Sequence, residues 1–225
     1  MIFEKLPKAE ERSKKTYSIT FGIVFVLLYS GILQQIIYSK FKLSYISEFI
    51  ITFIIHSICA IILYKTLKFT FRRDIKYFKK STKDYIKYGI STLIVFGFVE
   101  LVIQNIIIIF TGGVSLNEAD VKTLPIIYQL IFGVLIDSFI EECMFRGLIR
   151  KLISNKYAYL IVSSVIFGAM HVIYEINNPK NLLFIFVYSI AGFALAYNYE
   201  KTDNLVSPIV MHSISNLFSI ILSVI

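Results

Sequence analysis

Cysteine is scarce: Cys59 and Cys143 are the only two in 225 residues, and both sit inside apolar stretches. That excludes a disulfide framework and a C-x-x-C metal pattern. Histidine is nearly as rare, with only His56, His171 and His212. No two of them stand in an H-E-x-x-H run, so the zincin helix is excluded. Internal repeats and low-complexity segments are missing as well.

What is abundant is apolar. Hydrophobic residues make up 56% of the chain, and the mean hydropathy is +0.72. Soluble domains rarely reach that level, so the expected solvent is a lipid bilayer. A hydrocarbon core needs about 20 apolar residues per helix. Seven stretches qualify, near 17–38, 45–67, 86–110, 124–149, 158–175, 181–199 and 205–225. In lipid they must be helices, because backbone groups there find no water to bond. The expected fold is an all-α, polytopic transmembrane helical bundle forming one integral membrane domain over 1–225. The charged N-terminus followed by a long apolar run reads as an uncleaved signal anchor, because no small-x-small cleavage site follows.

The net charge of +8 and pI of about 9.3 belong to loops between spans. This argues for cytoplasmic segments and against nucleic-acid binding. Lys5, Lys8, Arg12, Lys14 and Lys15 precede the first span. A dense basic segment follows the second, and Arg150, Lys151 and Lys156 follow the fourth. Loops three and five hold only Lys122 and Lys180, whereas Lys40 and Lys42 in the first loop run against the pattern. The positive-inside rule then puts the N-terminus in the cytoplasm and the C-terminus outside. The run "FRRDIKYFKKSTKDYIKYG" reads equally as an amphipathic surface helix near anionic lipid or as a polar loop.

Inside the spans few ionisable groups remain: Glu48, His56, Glu100, Asp137, Glu141, Glu142, Arg146, His171 and His212. Charges at membrane depth are costly and mark function by default. Glu142 and Arg146 are four apart with the acid first, the favourable order for an ion pair on one helix face. Glu141 lies about 100° round the helix and faces elsewhere. Phe167 and His171 share a face, as do His212 and Asn216. Glutamate with histidine can hold and deprotonate a water. Histidine with a carboxamide can bind the oxygen of a tetrahedral intermediate. Asp137, one turn before Glu141, either tunes that acid or bonds elsewhere. Glu100 is either functional or a hydrogen-bonded protonated acid, and His56 reads as structural.

Glu141-Glu142-x-x-x-Arg146, Phe167-x-x-x-His171 and His212-x-x-x-Asn216, in order on consecutive spans, resemble the CPBP family. These are the CAAX-protease and bacteriocin-processing, Rce1-like, intramembrane proteases. The resemblance covers about 124–220, which would be the catalytic core. It implies an intramembrane endopeptidase acting on a membrane-associated protein or peptide, in peptide processing or bacteriocin self-immunity. It implies Glu141 as general base, His171 as its partner on the water, and His212 with Asn216 as the oxyanion hole. Glu142 and Arg146 would support them, with Phe167 as a wall beside His171. The family has been described both as metal-free and as metalloproteases. If zinc is bound, its ligands would be Glu141, His171 and His212.

Other intramembrane protease chemistries lack their residues. No Gly-x-Ser-Gly run supplies a rhomboid-like nucleophile, and one membrane aspartate, Asp137, cannot form an aspartyl pair. Cys143 lies about 200° from Glu141 round the helix. Two rival readings are a non-catalytic membrane immunity or scaffold protein and a proton-coupled transporter with an acid–histidine relay. The transporter lacks the expected inverted repeats. At 1.5 Å per residue, Glu141 and His212 lie about 12 and 10 Å deep, and His171 nearer 20 Å. A three-helix site therefore requires tilt, or a fifth helix that starts after Tyr157.

Overall fold

The computed structural model describes residues 3, 5–29, 44–113, 115, 124–173 and 179–224. Residues 30–38 of the first expected span, and Lys40, Lys42, Asn117 and Lys122, lie outside the described residues. Among the described residues the chain is helical throughout, with no strand.

The helices are α1 (Lys14–Tyr29), α2 (Tyr45–Thr66), α3 (Lys68–Lys80) and α4 (Thr82–Thr111). After them come α5 (continuous over 126–152), α6 (Lys156–Val172), α7 (Phe184–Thr202) and α8 (Val206–Val224). Among the described residues, three stretches are long and apolar enough to cross a membrane: Ile46–Thr66, Thr82–Thr111 and Asn181–Thr202. Two shorter apolar helices, Lys156–Val172 and Val206–Leu222, accompany them. Outward-facing Ile94, Val95, Phe98, Ile109 and Phe110 give α4 an apolar surface of the kind a bilayer solvates. This is a membrane-type, all-α bundle.

Local chemistry sets the helix ends. The Ser44 hydroxyl accepts the Ser47 N–H at the start of α2, and Asn155 accepts the Ala158 N–H at the start of α6. Both satisfy donors that a first turn leaves open. The cap at Asn155 starts α6 at Lys156, so the helix does not begin after Tyr157 as one route to the three-helix site required. Gly112, at φ 79°, closes α4 in the left-handed conformation that glycine adopts at low cost. Asp203, at φ 47°, does the same for α7 without being glycine.

The basic run after α2 is helical, not a polar loop. In α3, Thr70, Phe71 and Asp74 face inward while Arg72, Lys76, Lys79 and Lys80 face out. This is the amphipathic alternative. The buried Asp74 carboxylate accepts the Leu205 N–H at 2.6 Å, and the Asn204 amide donates to the Asp74 carbonyl at 2.9 Å. The Asn204 side chain also accepts the Val206 N–H. Together they cap the start of α8.

One apolar cluster links the helices. It includes Val24 of α1, Cys59 and Leu63 of α2, Phe71 of α3, Met144 and Leu148 of α5, Phe167 of α6, and Ala196 of α7. The helix at its centre, α5, changes pitch along its length. It is α-helical at Ile126–Gln129, π-helical at Leu130–Asp137 and α-helical at Ser138–Glu142. It is then π-helical at Cys143–Leu148 and α-helical at Ile149–Leu152. Both glutamates of the first motif thus stand on one short α-helical stretch between two wider turns.

Candidate active site

Glu142 and Arg146 are fully buried. Arg146 Nη1 donates to Glu142 Oε1 at 3.1 Å, and Nη2 donates to the Gly192 carbonyl of α7 at 2.6 Å. The guanidinium carbon lies 5.0 Å from the centre of the Phe167 ring. The Phe145 ring lies 5.7 Å away as well, so the buried cation has one anion, one carbonyl and two aromatic rings for company. The absence of a side chain at Gly192 lets α7 close on Phe167. A Cβ there would meet the ring at 3.1 Å.

The same carboxylate oxygen, Glu142 Oε1, accepts His212 Nδ1–H from α8 at 2.9 Å. His171 donates its Nδ1–H to the Phe167 carbonyl at 2.8 Å. These partners fix the protons at Nδ1 and leave Nε2 of each ring for other chemistry. His171 Nε2 faces Glu141 Oε2 at 3.9 Å. Residues from α5 and α6 thus meet despite their different expected depths.

The His171 ring packs against two aromatic rings. Phe167 lies 4.5 Å away on one contact and Tyr188 of α7 lies 4.7 Å away, stacked, on another. The Tyr188 hydroxyl shares a 2.6 Å hydrogen bond with Ser115. Phe167 also meets His212 edge-on at 5.9 Å. The sequence named Phe167 as a wall; it did not single out Tyr188, Ser115 or Gly192. A tyrosine in an apolar helix gives no signal until the rotation of its helix against α6 is known.

Asn216 is brought to α5. Its Nδ2 donates to the Gly133 carbonyl at 2.8 Å and to Ser138 Oγ at 3.2 Å. Ser138 Oγ donates to the same Gly133 carbonyl at 2.8 Å. Asp137 bonds elsewhere: His56 Nδ1 of α2 donates to Asp137 Oδ1 at 2.7 Å. Two groups read separately are therefore one pair. Glu100, half-buried on α4, lies within electrostatic reach of His212. Cys143 is fully buried in the core.

Zinc ligands stand about 2.0–2.2 Å from the ion, which sets them roughly 3.4 Å from one another in a tetrahedron. Among the described residues, no three His, Cys, Asp or Glu side chains gather in such a set. The bonds that His171 and His212 make at Nδ1 leave Nε2 of each ring for a ligand, which is also how a zinc-binding histidine is held.

Residues 122–218 match the family model described as type II CAAX prenyl endopeptidase Rce1-like. The matched segment holds α5 to α7, most of α8 and all three motifs; α1 to α4 lie before it. Two curated relatives share similarity with the chain. UPF0177 protein YxdF of Lactococcus lactis subsp. lactis (strain IL1403) is 31% identical over 96 residues, covering 42% of this chain and 50% of its own. Uncharacterized protein YpbD of Bacillus subtilis (strain 168) is 36% identical over 103 residues, covering 46% of this chain and 48% of its own. The chain thus spans about half the length of the curated relatives it matches. No solved structure matches.

Proposed function

We propose that this chain is a CAAX-protease-like intramembrane endopeptidase, hydrolysing a membrane-associated protein or peptide with a water activated by Glu141. The observation that carries the reading is the facing of Glu141 Oε2 and His171 Nε2 at 3.9 Å. A water about 2.8 Å from each atom would see them at an angle of roughly 90°, close to that between its own O–H bonds. Each O–H bond then points at an acceptor, and a lone pair on oxygen stays available for attack.

As that oxygen bonds to the scissile carbonyl carbon, Glu141 takes the proton and the carbonyl becomes an oxyanion. His212 donates Nδ1–H to Glu142, so it can donate from Nε2 only when doubly protonated. The Glu142 carboxylate compensates that charge. Arg146, bonded to the same Oε1, holds Glu142 in place. Asn216 supplies a second donor by releasing its longer contact, the 3.2 Å one to Ser138 Oγ. Glu141 then passes its proton to the departing amine as the tetrahedral intermediate collapses. Peptide processing or bacteriocin self-immunity is the setting we assign to this chemistry. The N-terminus is cytoplasmic in this reading, from the basic loops, and seven spans carry the chain across the bilayer.

A non-catalytic scaffold would also use the buried Glu142–Arg146–His212 network. It would have no use for Glu141 facing His171. The test compares wild type with Glu141→Gln in nanodiscs at equal protein level. Mass spectrometry of added membrane peptides should find cleavage products with wild type, chelator present or absent. It should find none with Glu141→Gln, whose melting curve stays that of wild type. Equal product from both proteins would refute Glu141 as the base.

A further inference from the structure

A second surface stands apart from the acid–histidine cluster. Arg72, Lys76, Lys79 and Lys80 of α3, with Lys83 and Lys87 at the start of α4, are all exposed. Among the described residues none of the six makes an ion pair. Asp84 is the one exposed acid in that stretch. On α3 the row 72, 76, 79, 80 follows the spacing of one helix face, and Ile75, 41% exposed, lies beside it. The opposite face, Thr70, Phe71 and Asp74, is buried against the bundle.

Chain connectivity restricts what can meet this surface. The 13 residues of α3 join α2, which ends at Thr66, to α4, which begins at Thr82. Both are long and apolar enough to cross a membrane. The helix between them is therefore held where the hydrocarbon ends and headgroups begin. A basic row flanked by an exposed isoleucine at that depth complements anionic phosphate with acyl chains beside it.

The surface is also tied to α8. Arg73 donates through Nε to Asp74 Oδ1 at 2.6 Å and through Nη2 to the Asp203 carbonyl at 2.7 Å. Asp74 accepts the Leu205 N–H at 2.6 Å. The helix that starts there carries His212 and Asn216.

We propose that the exposed face of α3 and the first turns of α4 bind anionic phospholipid headgroups, and that Arg73 and Asp74 carry this contact to the start of α8. The proposal does not depend on peptidase activity. Each basic residue near an anionic surface strengthens binding about fivefold, and the effect weakens as salt rises.

The test uses the full chain in uncharged detergent, titrated with dioctanoyl phosphatidylglycerol or dioctanoyl phosphatidylcholine and read by native mass spectrometry. The anionic lipid should bind at least about tenfold tighter. That preference should disappear in the Lys76→Gln, Lys79→Gln, Lys80→Gln, Lys83→Gln variant. Equal affinity for the two lipids, or an unchanged preference in the variant, would overturn the lipid site. Tighter binding of inorganic phosphate or of a poly-glutamate peptide than of the anionic lipid would also overturn it. Hydrogen exchange of the 203–212 peptide reads the second half of the proposal. Phosphatidylglycerol should slow exchange in wild type and slow it clearly less in Asp74→Ala, which loses the Leu205 tie, keeps the Arg73–Asp203 bond and still binds the lipid. Asn204→Ala serves if Asp74→Ala does not fold, since it removes the bond to the Asp74 carbonyl. Exchange that ignores the lipid in wild type would overturn the coupling.

Discussion

Glu142→Gln removes one negative charge and almost no volume from the centre of the bundle. Arg146 is fully buried there, and Glu142 is the anion it bonds. Leaving a buried charge without its partner costs about 3–5 kcal/mol. Two of the cation's other contacts survive: the Gly192 carbonyl and the face of Phe167. Glutamine can also still accept from His212 Nδ1. The loss should therefore sit at the low end, about 3 kcal/mol. For a chain of this size that is a drop of roughly 6–12 °C in melting temperature. Adding Arg146→Met removes the stranded cation and leaves the Gly192 carbonyl without its donor, worth about 1–3 kcal/mol. The double variant should then be more stable than the sum of the two single losses. Far-UV circular dichroism on the purified proteins in bicelles, heated in parallel, measures all four corners of this cycle. Melting of Glu142→Gln within about 1 °C of wild type would refute the argument, since this lies well below the expected drop. So would strict additivity of the two substitutions.

Asn216→Ala should lower kcat by about 10²–10³ with little change in KM. A normal kcat per folded molecule with a lower melting point would instead make Asn216 a strut between α8 and the Gly133 carbonyl. Gly168→Ala should destabilise by about 3 kcal/mol, because the new Cβ would meet backbone atoms of α7, the Ile185 carbonyl at 2.6 Å and the Ser189 nitrogen at 2.9 Å. A melting point equal to wild type would mean that α6 and α7 do not approach so closely. Single cysteines at Ser81 and Asn117 should label from the cytoplasm and from outside, respectively. Cys59 and Cys143 are buried and add little background, and the reverse labelling would overturn the orientation.

Much of the architecture was legible because lipid leaves the backbone few options. Long apolar runs had to be helices, and α2, α4 and α7 lie where those runs were found. The Glu142–Arg146 pair was legible too, since it depends only on spacing within one helix. Contacts between helices were not. His56 and Asp137 are 81 residues apart, and nothing in either neighbourhood names the other. Tyr188 reaches His171 only through the rotation of α7, and Arg146 reaches Gly192 for the same reason. The π-helical turns of α5 were hidden because a periodicity of 3.6 is assumed when faces are assigned from sequence. They also explain why Asn216 finds the Gly133 carbonyl. That carbonyl lies in a π-helical segment and takes two side-chain donors, Ser138 and Asn216.

All three imidazoles share one habit. His56, His171 and His212 each spend Nδ1 on a fixed acceptor, respectively a carboxylate, a backbone carbonyl and a second carboxylate. With no other histidine in the chain, a nitrogen-15 histidine label yields a spectrum of three rings and nothing else. Single substitutions assign each line. The state of the polar centre then becomes visible as resonance positions, in a bilayer, before any substrate has been identified.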